Sequence, residues 1–145
     1  MPVNGMNTGT DYALFYYDGA SGALINLGDV QVIDIVAETH LLKNQPYNQP
    51  PSYGYVPDGY KIEFTITRTG ADLENFFAAA EANFNNGAVQ KPGFLQETIN
   101  NPDGSISRFQ YQKMAIFLRD HGSISRDKVV MLKLEGYAST KVPIN

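Results

Sequence analysis

The chain has 145 residues and a formal net charge of −4, with 43% hydrophobic and 12% aromatic residues. This composition indicates one globular domain and excludes a disordered chain. The absence of cysteine excludes disulfides and thiolate metal sites, and the acidic balance with scattered basic residues argues against a nucleic-acid-binding surface.

The sequence also predicts no targeting or membrane segment. No apolar run approaches the roughly 20 residues that a membrane helix needs. The first ten residues lack the basic segment and apolar core of a signal peptide. We therefore expect a soluble protein, with no membrane partner, that folds in the cytoplasm.

The first part of the chain predicts three strands: Asp11–Tyr17, its hairpin partner Ala23–Leu27 after a turn at Asp18–Gly22, and Val30–Ala37. The first and the third are apolar on both faces. Strands in which both alternation phases are apolar are covered on two sides. A chain this short, with one predicted helix, cannot easily supply all of that cover, so we expect neighbouring copies to contribute.

Residues 43–59 form an unusual segment that holds four prolines and three tyrosines. Because proline cannot donate to a β-ladder, we expect an extended loop here rather than a central strand. A floppy surface loop is one interpretation. We favour an interaction arm with Tyr47, Tyr53 and Tyr55 as interface anchors, because tyrosine is enriched in interfaces and adds contact area at low entropic cost.

The segment Tyr60–Arg68 alternates regularly and predicts a strand with one buried and one wet face. Ile62, Phe64 and Ile66 fall on the apolar face. The polar face carries Glu63, Thr65 and Thr67.

A helix is predicted over residues 71–85, where apolar side chains recur at helical spacing. Phe76, Phe77 and Phe84 belong to this stripe, and we expect them to be mostly buried against the sheet that contains Phe64. The alternative is that they line a ligand pocket.

The second half predicts the strands Phe94–Asn100, Ser105–Arg119 and Lys128–Ala138, with a hairpin turn at Asn101–Gly104. The second strand is long, and its apolar phase changes between Tyr111 and Met114. Such a change predicts a bulge or a strand that passes from one environment to another.

No residues in a pattern typical of catalysis or metal binding are found. The only histidines, His40 and His121, lie in different halves of the chain. Ser123 and Ser125 lie near His121 but lack the context of a nucleophile motif. We expect no catalytic residue, no cofactor and no metal site.

The phrases Asp58–Arg68 and Lys128–Ala138, with the order strand, helix, hairpin and final strand, resemble the tail tube proteins of bacteriophages over about residues 24–141. The same fold occurs in tubes of contractile injection systems, including the haemolysin-coregulated protein of type VI secretion. The resemblance implies a mainly β (α+β) fold, in which two packed antiparallel sheets form a β-sandwich or barrel with one flanking helix. It also implies six subunits that close one sheet into a barrel around a channel, with a long loop reaching the next ring. Residues 43–59 occupy the place of that loop.

We therefore expect a structural subunit of a phage tail tube, located in the virion tail and made in the host bacterial cytoplasm. The resemblance implies self-association and contacts with sheath or baseplate, terminator and tape-measure proteins, while DNA passes without specific binding. The polar residues Glu63, Thr65 and Thr67, or Gln110 and Gln112, are candidates to face the channel. The alternatives are a tube or baseplate ring subunit of a contractile injection system and, in a different class, a small ligand-binding β-barrel.

Overall fold

The computed structural model describes residues 4–19, 22, 24–25 and 29–144. The described elements are a 3₁₀ helix (Gly9–Asp11), β1 (Tyr12–Tyr17), β2 (Leu24–Ile25), β3 (Asp29–Asn44), β4 (Ser52–Thr67), α1 (Asp72–Asn85), β5 (Gly93–Asn100), β6 (Ile106–Asp120), β7 (Met131–Ala138) and β8 (Thr140–Pro143). This confirms the mainly β fold with one α-helix. Ala23, Asn26 and Leu27 of the second predicted strand lie outside the described residues.

All strand pairs are antiparallel, and β6 joins two groups of strands. The sheet order is β2-β1-β5-β6-β7-β4-β3, with β8 added to β6. The first part of β6 pairs with β5 and β8, and its last part pairs with β7. Both groups contribute side chains to one buried core. The structure therefore has one continuous eight-stranded sheet, whose two groups of strands share β6 and one core, in place of the two separate sheets that were expected.

A bulge in β6 explains the change of apolar phase. Leu95 pairs with Tyr111 and Gly93 pairs with Met114, so two steps along β5 match three steps along β6. Lys113 has a positive φ of 53° at this point. The extra residue reverses the alternation, and both Tyr111 and Met114 are buried as a result.

The alternation of β4 positions the centre of the core. Ile62, Phe64 and Ile66 are fully buried, together with Leu132 and Leu134 from β7. Burying a large apolar side chain contributes about 1.5–3 kcal/mol relative to leaving it exposed. The predicted inward and outward faces of this strand are confirmed.

The prediction of a loop over residues 43–59 was wrong about its backbone. Asn44 pairs with Ser52, and β3 and β4 form a hairpin of two 16-residue strands. Only residues 45–51 lie between the strands. Pro57 is tolerated because β4 pairs with β7 only from Tyr60 onward, so Pro57 needs no hydrogen bond on that side.

The helix forms where predicted, but its packing differs from the expectation. Leu73 is its buried residue, while Phe76 and Phe77 are only partly buried against the core. Phe84 is 62% exposed, so the prediction that it belongs to the core was wrong. The main contacts of α1 are with β6, and residues 78–85, its last turns, are exposed. An aromatic residue at helical spacing therefore did not guarantee burial here.

Candidate assembly interface

The outer end of the β3–β4 hairpin, residues 38–59, projects from the sheet, and we refer to it as the arm. Within the arm, β4 pairs with β3 alone. The arm begins at a bulge in β4, where Gly59 has a φ of +98°. A Cβ atom at Gly59 would lie 2.5 Å from the carbonyl oxygen of Ala138. Glycine is therefore required where β4 separates from β7.

The arm exposes apolar side chains on both of its faces. Tyr53 and Tyr55 share one face with Leu41, since Leu41 pairs with Tyr55. Leu42 and Val56 lie on the opposite face and are also exposed. Because exposed apolar patches are typical of interaction sites, the arm is the candidate interface of this chain.

The three tyrosines named from the sequence are all accessible in the single chain. Tyr53 and Tyr55 are 62% and 69% exposed, and Tyr47, between the strands, is 91% exposed. The Lys43 ammonium lies 5.8 Å from the centre of the Tyr53 ring, a cation–π contact at an exposed site. The structure therefore brings Tyr53 and Tyr55 together on one face and leaves Tyr47 at the tip.

Sequence reasoning missed the contribution of β3 to the arm. Leu41 and Leu42 were left unassigned, although they are adjacent apolar residues. The signal available was the adjacent pair Leu41 and Leu42, which places an apolar side chain on each alternation phase after three polar residues. That pattern indicates a strand whose two faces both need cover.

A second surface, the charged face, lies on the side of β3, β4 and β7 that points away from the core. Glu63 on β4 has Asp34 and Glu135 as its two cross-strand neighbours. Like charges in directly opposed positions destabilise a sheet. This row of carboxylates therefore requires compensating cations.

Lys61 and Arg119 supply that compensation. The Lys61 ammonium lies 3.2 Å from the Glu63 carboxylate and 3.4 Å from that of Glu135. The Arg119 guanidinium lies 3.6 Å and 3.3 Å from the same two carboxylates. Lys61 and Arg119 therefore each bridge Glu63 and Glu135, while Lys133 on the same face is exposed.

Hydrogen bonds shift the pKa values of two charged groups on this face. The Tyr137 hydroxyl donates to Glu135, and this bond lowers the pKa of the Glu135 carboxyl, with further help from Arg119 and Lys61. The hydrogen bond to Glu63 raises the pKa of Lys61, and Glu135 adds to that effect. Both groups are therefore held in their charged forms at neutral pH.

The candidate channel residues fall on two different surfaces. Glu63, Thr65 and Thr67 lie on the charged face. Gln110 and Gln112 lie on the outward side of the first part of β6, where the Gln112 amide donates to the Gln110 oxygen at 3.2 Å. The two sets are not brought together, because they belong to the two different groups of strands.

The residues considered for chemistry are dispersed over separate elements. His40 pairs with Val56 in the arm, and His121 follows the end of β6. Across residues 4–19, 22, 24–25 and 29–144, no three His, Asp or Glu side chains come together as a metal site. The same ranges contain no helix with the length and apolar character needed to cross a membrane.

Solved structures share this fold, whereas no protein-family model and no curated protein matches the sequence. One match is a chain in the cryo-EM structure of the sixfold-symmetrised baseplate of the anti-feeding prophage (AFP). It has 6% identity and a TM-score of 0.59 and covers 100% of this chain and 98% of that chain. Another is a chain in the tail of the empty GTA particle, obtained by helical refinement with C6 symmetry. It has 15% identity and a TM-score of 0.51 and covers 96% of this chain and 99% of that chain.

Both likenesses extend over nearly the full length of both chains. At these identities they show a common fold. The chain therefore has the same fold as a chain of a prophage baseplate and a chain of a particle tail.

Proposed function

We propose that the protein is a non-catalytic structural subunit of a phage tail or tail-like particle, in which hexameric rings stack into a tube. The observation that carries this proposal is the full-length fold match to chains of two assemblies with sixfold symmetry. The uncovered arm supports it, because a monomer gains nothing from an apolar surface on both sides of a projecting hairpin.

Strands with one uncovered face add further support. Phe15 on β1 and Val32 on β3 point away from the core and are exposed in the single chain. Neighbouring subunits of a ring or tube would cover such side chains. In this proposal Tyr47, Tyr53 and Tyr55 contact the next ring.

The charged face is the better candidate for the channel wall. DNA carries a dense row of phosphates that unpaired lysine and arginine side chains would bind. Lys61 and Arg119 are both engaged by carboxylates. With Lys133 on the same face, the cations are matched by Asp34, Glu63 and Glu135, so the face has no excess of positive charge. DNA would then pass without specific binding. The proposal places the protein in the virion tail, next to sheath or baseplate, terminator and tape-measure proteins, after synthesis in the host cytoplasm.

The second candidate is a tube-like ring of a baseplate or injection particle, favoured by the match to a baseplate chain. Light scattering and negative-stain microscopy of concentrated protein distinguish the candidates. Stacked tubes support the tail tube, and discrete sixfold rings that do not lengthen support the baseplate ring. A monomer at every concentration, with a small molecule bound, contradicts both and favours the ligand-binding barrel.

A further inference from the structure

Two free strand edges bound the part of the sheet that carries the charged face. β3 is the last strand of the sheet order and pairs with β4 on one side. The segment 115–120 of β6 pairs with β7 on one side. In the described ranges, no strand pairs with the other side of either segment. Edges with unpaired backbone groups are templates for pairing with another chain.

The order of these strands lets copies of the chain join edge to edge. β3, β4, β7 and the end of β6 form four neighbouring strands, each antiparallel to the next. The two outer strands of this set therefore run in opposite directions. When copies stand side by side around an axis, the β6 edge of one meets the β3 edge of the next in antiparallel orientation. A ring can then close by head-to-tail contacts without reversing any strand.

We propose that β3 of one copy pairs with residues 115–120 of the next copy, in the register that sets Asp34 opposite Arg119. The inference rests on the proposed ring-forming function and names the surface that closes the ring. In this register Val36 faces Phe117 and Ile35 faces Leu118. Opposite charges meet, and apolar residues meet on both faces of the sheet.

Burial in the single chain favours this register over its neighbours. Val36 and Phe117 are 55% and 42% exposed on the outer face, and each would cover the other. Ile35 and Leu118 are partly buried against the same core and would continue it across the boundary. A shift of one residue would turn core side chains outward. A shift of two would place Asp34 or Arg119 opposite an apolar side chain.

The charge of Asp34 also favours this register. It is the outermost acid of the carboxylate row, and no lysine or arginine forms an ion pair with it among the pairs found in the described residues. Arg119 lies at a bulge at the opposite end of the charged face, with its side chain half exposed. Across the boundary, Arg119 of one copy would complete the compensation that Asp34 lacks within its own copy.

Cysteine cross-linking tests the register directly, because the chain contains no cysteine. The double variant V36C/F117C should form covalent multimers under mild oxidation, seen as a ladder on a non-reducing gel. Within one chain the two positions are separated by three strand spacings, roughly 14 Å, which is too far for a disulfide. Any cross-link therefore joins two copies.

The matched control is V36C/A115C, which reports the register shifted by two residues. Ala115 is exposed on the same face, so both variants leave the core intact. The melting temperatures of both are measured, because F117C also removes the stacking of Phe117 on Tyr137. We expect about tenfold more cross-linking in V36C/F117C than in the control, because cross-strand side chains adjoin only in the correct register. If rings form but V36C/F117C cross-links no better than the control, the proposed register is wrong and the proposed function stands. A chain that neither cross-links nor forms rings overturns both.

A charge exchange tests the same contact without cysteine. D34R should raise the concentration needed for ring formation by about tenfold, because it sets two cations in contact at each boundary. Adding R119D to that variant should recover part of the loss. Arg119 also compensates Glu63 and Glu135 within its own copy, so the unfolding free energy of each variant is measured below the concentration at which rings form. A double variant that is as stable as D34R and assembles no better overturns the proposed pairing of these two side chains.

Discussion

Glu97, on β5, has a buried carboxylate. It is 3% exposed, and the Lys141 ammonium lies 3.8 Å from it. The same ammonium lies 4.4 Å from the centre of the Phe109 ring. Burial raises the pKa of Glu97, and Lys141 offsets only part of that effect. The ionised carboxylate is therefore less favourable in the fold than in the unfolded chain.

Replacing Glu97 with Gln should raise the melting temperature at pH 7. Because the pKa of Glu97 is higher in the folded chain, its protonated carboxyl stabilises the fold. This stabilisation is complete at pH values below the ordinary pKa of 4.5 and is lost as the pH rises through the folded-state pKa. The amide has no proton to lose, so its advantage should appear at neutral pH and vanish near pH 4. Thermal melts of both proteins across this range measure the difference.

Lys141→Met provides the control for that prediction. It should lower the melting temperature of the unmodified chain at pH 7, because it leaves the Glu97 charge without its cation. In the Glu97→Gln background the same substitution should have a much smaller effect. If Glu97→Gln is less stable than the unmodified chain at pH 7, the ion pair outweighs burial.

The helix α1 provides a graded test of packing along one element. Leu73→Ala should cost about 2–5 kcal/mol of unfolding free energy, as buried leucines do. Phe77→Ala should cost about 1–2 kcal/mol, because a fully buried Phe loses about 3–5 kcal/mol on truncation and Phe77 is only partly buried. Phe84→Ala should leave the stability of the single subunit unchanged. Denaturant unfolding of the three variants, measured at a concentration where no ring forms, checks this order.

A large loss for Phe84→Ala under those conditions would show that the end of α1 packs on its own subunit. A loss that appears only when rings form would instead place Phe84 at a contact between copies. The comparison with Leu73→Ala provides the internal reference, because both residues lie on the same helix.

The local sequence pattern was sufficient to predict the elements whose burial follows from the alternation or helical spacing of their own residues. The alternation from Tyr60 to Thr67 predicted which side of β4 is buried, because a strand covered on one face needs period two. The change of phase before Met114 predicted the bulge in β6. Helical spacing predicted α1 but could not show where the helix runs past the sheet.

Features that depend on distant partners could not be predicted in the same way. The prolines near Tyr53 and Tyr55 suggested a loop, because the rule against proline in strands assumes partners on both sides. β4 has one partner in the arm, so Pro57 fits. The tyrosines were identified as exposed, but Asp34 and Arg119 carry no local signal. Their importance comes from lying at opposite edges of the sheet.

At the level of the assembled particle, ring closure and ring stacking should be separable. The edges of β3 and β6 serve closure in our proposal, and the arm serves stacking. Replacing Tyr47, Tyr53 and Tyr55 together with Ser should therefore give rings that do not lengthen into tubes. Truncating an interface tyrosine at a hot spot costs about 2 kcal/mol or more, and each ring repeats the contact around its circumference. Negative-stain microscopy and light scattering of the triple variant measure the two steps separately.

The triple variant should remain folded, because the three tyrosines are exposed and the core residues of β4 begin at Ile62. A matched control is Tyr12→Ser, which removes an exposed tyrosine from β1, outside the arm, and should still form tubes. If the triple variant stacked at the concentration of the unmodified chain, the arm would not connect rings. If it unfolded, the arm would contribute to the stability of its own subunit. Loss of rings as well as tubes would place the arm at the closure contact, since a contact used only between rings cannot affect the first step.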